Sequence, residues 1–160
     1  KTHNYLLNTD PLPLLVINEF MAFNTSCCAD TDSGTPEFDD WIEIYNKGAE
    51  PVNLAGMYVS DDKANPFKHK IPSDNASLTT IPPGGYLVLW ADNTQSQGPL
   101  HVEFALANAG EDVGLFYVDG RAIDTYTFGA QIENVSFGRT TDGALTWKTF
   151  TTPTPGESNN

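Results

Sequence analysis

The feature that most constrains this chain is a succession of short apolar runs separated by Gly, Pro, Asn and Asp. The runs cover residues 14–20, 41–46, 52–60, 86–91, 113–118, 122–128, 135–139 and 147–150, and each has the length and composition of a strand. Helical signals are weak. No window carries an i, i+3, i+4, i+7 apolar stripe over three turns, and the best candidate, 104–109, is too short to nucleate alone. Alternation is clearest at 41–45, where Ile42 and Ile44 share the core face and Trp41, Glu43 and Tyr45 the other. Turn chemistry punctuates the runs: Asp119-Gly120 lies between two of them, Asp142-Gly143 repeats the signal, and Pro82-Pro83-Gly84-Gly85 leads into another.

This pattern predicts an all-β, immunoglobulin-like antiparallel β-sandwich of about eight to nine strands. The 160 residues are enough for one domain that buries roughly two thirds of its unfolded surface. Two cysteines supply no disulfide framework; adjacent as Cys27-Cys28, they are expected to be reduced thiols. Residues 1–13 are polar and aperiodic and carry Pro11 and Pro13, which reads as a tail or linker before a domain at 14–160. A start at Lys1 rather than Met reads as a processed or trimmed chain. Asp and Glu number 21 against 8 Lys and Arg, a net charge of -13, which disfavours nucleic acid and anionic membranes as direct partners. No apolar stretch is long enough for a helical membrane span.

The order of several motifs is more specific than any one of them. Ile17-Asn18-Glu19 is followed by 39–46 (Asp-Asp-Trp-Ile-Glu-Ile-Tyr-Asn), by 52–62 with Leu54-Ala55-Gly56 and Asp61-Asp62, and by 81–92 with its Pro-Pro-Gly-Gly turn. A 101–106 segment, Gly110-Glu111, Ser136-Phe137-Gly138-Arg139 and a 151–159 close complete the series. The series resembles the lamin tail domain in its bacterial form, over about residues 14–159. That resemblance implies an immunoglobulin-like sandwich without an established catalytic role, carried by exported or cell-surface bacterial proteins. Filament assembly and DNA binding do not transfer, because no heptad rod and no basic patch is present. The Cys27-Cys28 pair and the 73–80 loop look peculiar to this chain.

Two acidic pairs, Asp39-Asp40 and Asp61-Asp62, flank an expected hairpin of 41–46 against 52–60, which places them at the same end of a sheet. A curled loop is needed for them to meet. Four carboxylates together repel unless a cation intervenes, and oxygen ligands suit calcium, so Asp39, Asp40, Asp61 and Asp62 form the expected metal set. Against this stands the commoner role of aspartates as turn residues that bond nearby backbone. Asp30-Thr31-Asp32 matches an EF-hand loop only superficially, with Thr35 at the glycine position and Trp41 at the final glutamate. Trp41, Glu43 and Tyr45 form the expected ligand or partner surface, because a carboxylate among aromatic rings marks a solvent side suited to a sugar or protein. His69 and His101 lie in no nucleophile motif, so no catalytic residues are assigned.

The function expected is a non-catalytic interaction or spacer module of an exported or cell-surface bacterial protein, binding a protein or glycan. The alternative is a calcium-stabilised carbohydrate-binding accessory module of a larger secreted enzyme. A hydrolase using carboxylates and His101 ranks third. No cofactor is expected apart from calcium at the aspartates, and no nucleic acid as partner.

Overall fold

The computed structural model describes residues 9–160, so 1–8 of the expected tail lie outside the described residues. Twelve strands are found among them: β1 (Leu15–Met21), β2 (Asp40–Asn46), β3 (Val52–Asn53), β4 (Tyr58–Ser60), β5 (His69–Lys70), β6 (Thr80–Ile81), β7 (Tyr86–Ala91), β8 (His101–Val102), β9 (Asp112–Phe116), β10 (Ala122–Thr127), β11 (Ser136–Arg139) and β12 (Trp147–Phe150). One short helix, α1 (Ala76–Thr79), precedes β6. A six-stranded sheet runs β12-β11-β1-β2-β7-β8, a four-stranded sheet runs β10-β9-β4-β5, and β3 pairs with β6. The all-β sandwich is therefore observed, with more strands than expected because the run 52–60 is split in two and the two-residue strands β5, β6 and β8 lie outside the expected runs.

Two details correct the expected topology. The run 52–60 is two strands: a turn at Leu54–Met57, closed by the Met57 N–H donating to the Leu54 carbonyl at 2.9 Å with Gly56 at φ +81°, sends β4 into the other sheet. Accordingly β2 pairs with β1 and β7 rather than with 52–60. The second correction is that β7 and β8 pair in parallel, through Trp90 with His101 and Ala91 with Val102. The connecting segment loops back on itself at 95–97, so β8 re-enters in the direction of β7.

The core lies between the sheets. Ile17, Ile42, Ile44 and Leu89 from the large sheet meet Val59, Val113 and Leu115 from the small one, all fully buried. Burying each such side chain stabilises the fold by about 1.5–3 kcal/mol. Ile42 and Ile44 face inward as their alternation predicts. Strand β1 keeps its alternation only by means of a bulge: Ile17 pairs with Ile44 and Glu19 with Glu43, which leaves Asn18 as the extra residue. Leu15 and Ile17 point into the core before the bulge, Phe20 and Ala22 after it.

One side of the sandwich is closed by charge. The Asp124 carboxylate accepts the Ile17 N–H at 2.8 Å and an Arg139 guanidinium N–H at 2.7 Å, while Arg139 Nε donates to the Ile17 carbonyl at 2.8 Å. Next to it, Trp147 stacks on Tyr126 with centroids 4.1 Å apart, and Arg139 lies 4.9 Å over the indole.

Gly138 pairs with Glu19 beside the bulge, and a Cβ there would sit 2.8 Å from the Asn18 carbonyl oxygen. Gly138→Ala is expected to destabilise the domain by about 1–3 kcal/mol in urea unfolding. Gly129→Ala, where no atom lies within 4 Å of the added Cβ, should change stability by less than about 0.5 kcal/mol.

Candidate functional site

Paired positions across neighbouring strands share a face, and the face turned away from the core carries two rows of interest, one acidic and one largely aromatic. Glu19 pairs with Glu43 across β1 and β2. One step along, Met21, Trp41, Trp90 and His101 stand in register across β1, β2, β7 and β8. The expected division of Trp41, Glu43 and Tyr45 from the isoleucines is therefore right, but its assignment to solvent needs correction. Trp41 and Glu43 are both 0% exposed. Tyr45 is half-buried and stacked on Tyr86 at 5.2 Å.

The physical reason at Glu43 is a roof made by residues 151–159. Thr154 donates to Glu19 through its N–H at 3.2 Å and its hydroxyl at 2.6 Å, and the Gly156 N–H donates to Glu43 at 2.6 Å. Asp142 anchors the roof by accepting from the Asn159 N–H at 3.0 Å, the Ser158 hydroxyl at 2.6 Å and the Tyr86 hydroxyl at 2.6 Å. Asn18, freed by the bulge, donates to Glu43 at 2.9 Å and to Asp142 at 3.0 Å. Burial, with Glu19 and Asp142 nearby, pushes the Glu43 carboxyl up to about 8 against the opposing hydrogen bonds. Trp41 and Glu43 thus offer no platform for a sugar ring.

At the other end of the face His101 is enclosed by three carboxylates. Its side chain is 0% exposed; Nδ1 lies 2.7 Å from Asp92 Oδ2, and Nε2 lies 2.6 Å from Asp32 Oδ2 and 3.6 Å from Asp30 Oδ2. The 22–39 loop brings two of them there: Asp30 and Glu37 exchange backbone hydrogen bonds at 2.8 Å, and Asp30 Oδ1 accepts the Asp32 N–H at 3.0 Å. Asp30 Oδ2 is buried with no hydrogen-bond partner. Carboxylate oxygens of Glu37 and Asp39 converge on Asp30 within 4.8 Å. Burial alone would lower the His101 pKa, but hydrogen bonds to Asp32 and Asp92 outweigh it and raise it. The Asp39 carboxyl is raised by burial and by Asp92, Glu37 and Asp30.

The four aspartates expected to share a metal are dispersed. Asp39 joins the Asp30 cluster, whereas Asp40 accepts the Asn24 N–H at 3.2 Å and is raised by burial to about 6. Asp61 pairs with Lys68 at 2.6 Å, and Asp62 caps a turn by accepting the Ala64 N–H at 2.8 Å. With β4 in the other sheet, no hairpin brings the pairs together. Cys27 and Cys28 are joined as a vicinal disulfide in place of the expected thiols, with Cys28 in the left-handed region at φ 55°. The Asn24 side chain accepts the Cys27 N–H at 3.0 Å, which tightens this turn. His69 is buried, and its Nδ1 accepts the Glu103 N–H at 3.3 Å.

The signs of these shifts define a pH profile. Groups whose folded pKa is raised give stability that is fully present below their unfolded value and lost as pH climbs through the folded one. For Glu43 that window runs from 4.5 to about 8, and for Asp40 from 3.8 to about 6. Asp112 and Asp142, lowered by hydrogen bonds despite burial, act oppositely and lose their contribution as pH falls below 3.8. The melting temperature should therefore fall between pH 5 and pH 8, with Glu43 accounting for a few kcal/mol. Glu43→Gln should flatten the upper half of that fall in calorimetry; an equally steep fall in the variant would place the titration elsewhere.

The model of the Lamin Tail Domain family matches residues 10–130, more than half of the chain. Neither the curated proteins nor the solved structures compared with it include a match. The matched span holds β1 to β10, while β11, β12 and the 151–159 roof complete the large sheet beyond it. Lamin tail domains have an immunoglobulin-like fold and are generally non-catalytic, of a protein-interaction type. By this match, and by the sandwich that carries it, the chain belongs to the lamin tail domain family.

Proposed function

We propose that this domain is a non-catalytic interaction module of an exported or surface-attached protein, and that it docks a protein partner where the chain enters β1. The observation that carries this reading is Leu145, 93% exposed, beside Leu14, 57% exposed. Both line a shallow groove of about 330 Å³ together with Leu12 and Ile123. Leu12 and Leu14 also border a second groove of about 280 Å³ against Val52. Clustered exposed aliphatic side chains at a groove mark protein contact, whereas sugar binding calls for an aromatic platform. The net charge of -13 favours a partner with a basic rim, whose association slows as salt rises.

Immobilised domain should retain a partner that, once purified, binds it in a titration with an association rate that falls with ionic strength. The double variant Leu14→Asp/Leu145→Asp should weaken that binding at least about tenfold, a loss of 1.4 kcal/mol, with an unchanged melting temperature. Undiminished binding by the double variant would remove this surface from consideration.

A further inference from the structure

We propose that His101, Asp32 and Asp30 form a binding site for one divalent transition-metal ion of the zinc class, with Asp92 as the outer partner that orients the imidazole. Three donor atoms, His101 Nε2 and one carboxylate oxygen from each aspartate, lie within 4.8 Å of one another. An acidic cluster alone is ordinary on a surface, but this one contains an anomaly. Asp30 is 3% exposed, and its Oδ2 has no hydrogen-bond partner while it faces His101 Nε2 at 3.6 Å. A buried carboxylate oxygen left without a donor is costly, and a cation between it and the imidazole removes the cost.

The second argument is the other side of the ring. Ligating histidines usually donate their remaining N–H to a carboxylate, which fixes the tautomer and aims the free nitrogen at the metal. Asp92 occupies that position at 2.7 Å from Nδ1, and its side chain is only 3% exposed. Asp92 is itself held, since its Oδ1 accepts the Thr94 N–H at 2.8 Å. Nε2 is thereby directed at Asp32 and Asp30.

Donor chemistry selects the ion. One imidazole and two carboxylates suit zinc or manganese better than calcium, which prefers oxygen ligands throughout. Donors around tetrahedral zinc stand ~3.3–3.5 Å apart, a spacing that follows from bonds of ~2.0–2.1 Å. The Asp30 contact already has that spacing, and the Asp32 contact at 2.6 Å opens as the metal takes the place of its hydrogen bond. Asp32 is 44% exposed in its side chain, which gives an ion a route in, and Glu37 and Asp39 add negative potential around Asp30. Three protein ligands leave a fourth position for water.

The test is calorimetric titration of the chelator-treated domain with zinc chloride, repeated with manganese and calcium. One zinc ion per chain is expected to bind, with a rise in melting temperature that chelator reverses. Asp32→Asn, at a partly exposed position that tolerates the change, should weaken zinc at least about tenfold while leaving the metal-free melting temperature near that of the parent. Asp92→Asn, a positioning change, should cost about 10–100-fold. Cobalt bound in place of zinc should show visible absorption bands that Asp32→Asn diminishes. The proposal is overturned by no saturable zinc or manganese binding, by zinc binding unchanged in Asp32→Asn, or by calcium binding in preference to both.

Discussion

Two carboxylates set side by side across β1 and β2, Glu19 and Glu43, are the constraint on which much of this domain depends. Both are 0% exposed, on the sheet face turned away from the apolar core. Two buried like charges cost several kcal/mol unless one is neutral and both are hydrogen-bonded, and the chain does both. Glu43 is pushed up to about 8, so it holds its proton at neutral pH. Donors then arrive from four directions: Asn18, Ser136, Thr154 and Gly156. The bulge at Asn18, the absent side chain at Gly138 and the path of residues 151–159 are parts of that one arrangement.

This explains why an outer sheet face that ordinarily meets solvent is closed here. In an antiparallel sandwich the alternation inward-apolar, outward-polar is expected. Here Glu19 and Glu43 are polar yet buried, because residues 151–159 return across them and supply hydrogen-bond donors in place of water. At the far end of the same face the 22–39 loop encloses His101. One face thus carries a structural roof over Glu43 and, on the next row and two strands across, a compact set of carboxylates around His101. Exposed aliphatic side chains lie away from this face, with Leu14 and Leu145 among the most exposed.

Much of the fold was legible in the sequence, because local rules act on neighbouring residues. Strand lengths, the inward pair Ile42 and Ile44, and the order of the family's motifs could all be read along the chain. The break at Gly56 was less visible, since 52–60 has a continuous strand composition and only its positive φ betrays the turn. The roof was not legible: the Thr154 and Gly156 donors lie 135 and 113 residues from the carboxylates they serve. The histidine cluster was hidden for the same reason, with Asp32 69 residues from His101. Asp30-Thr31-Asp32 is visible as a short acidic pair, but a calcium loop draws its ligands from one continuous segment, whereas His101 comes from a distant strand. Polarity beside aromatic rings implies exposure, a rule that fails at Glu43, where Gly156 of a distant segment supplies a hydrogen bond.

The central claim is that residues 151–159 are an integral part of the folded sheet through their bonds to buried carboxylates. Amide hydrogen exchange at Thr154, Gly156 and Asn159, with Ile17 and Ile44 as internal references, tests it most directly. The account predicts that the three amides exchange only with opening of the β1–β2 pair, at protection close to that of the references. Exchange at the rate of unstructured chain, with the reference strands still protected, would contradict it.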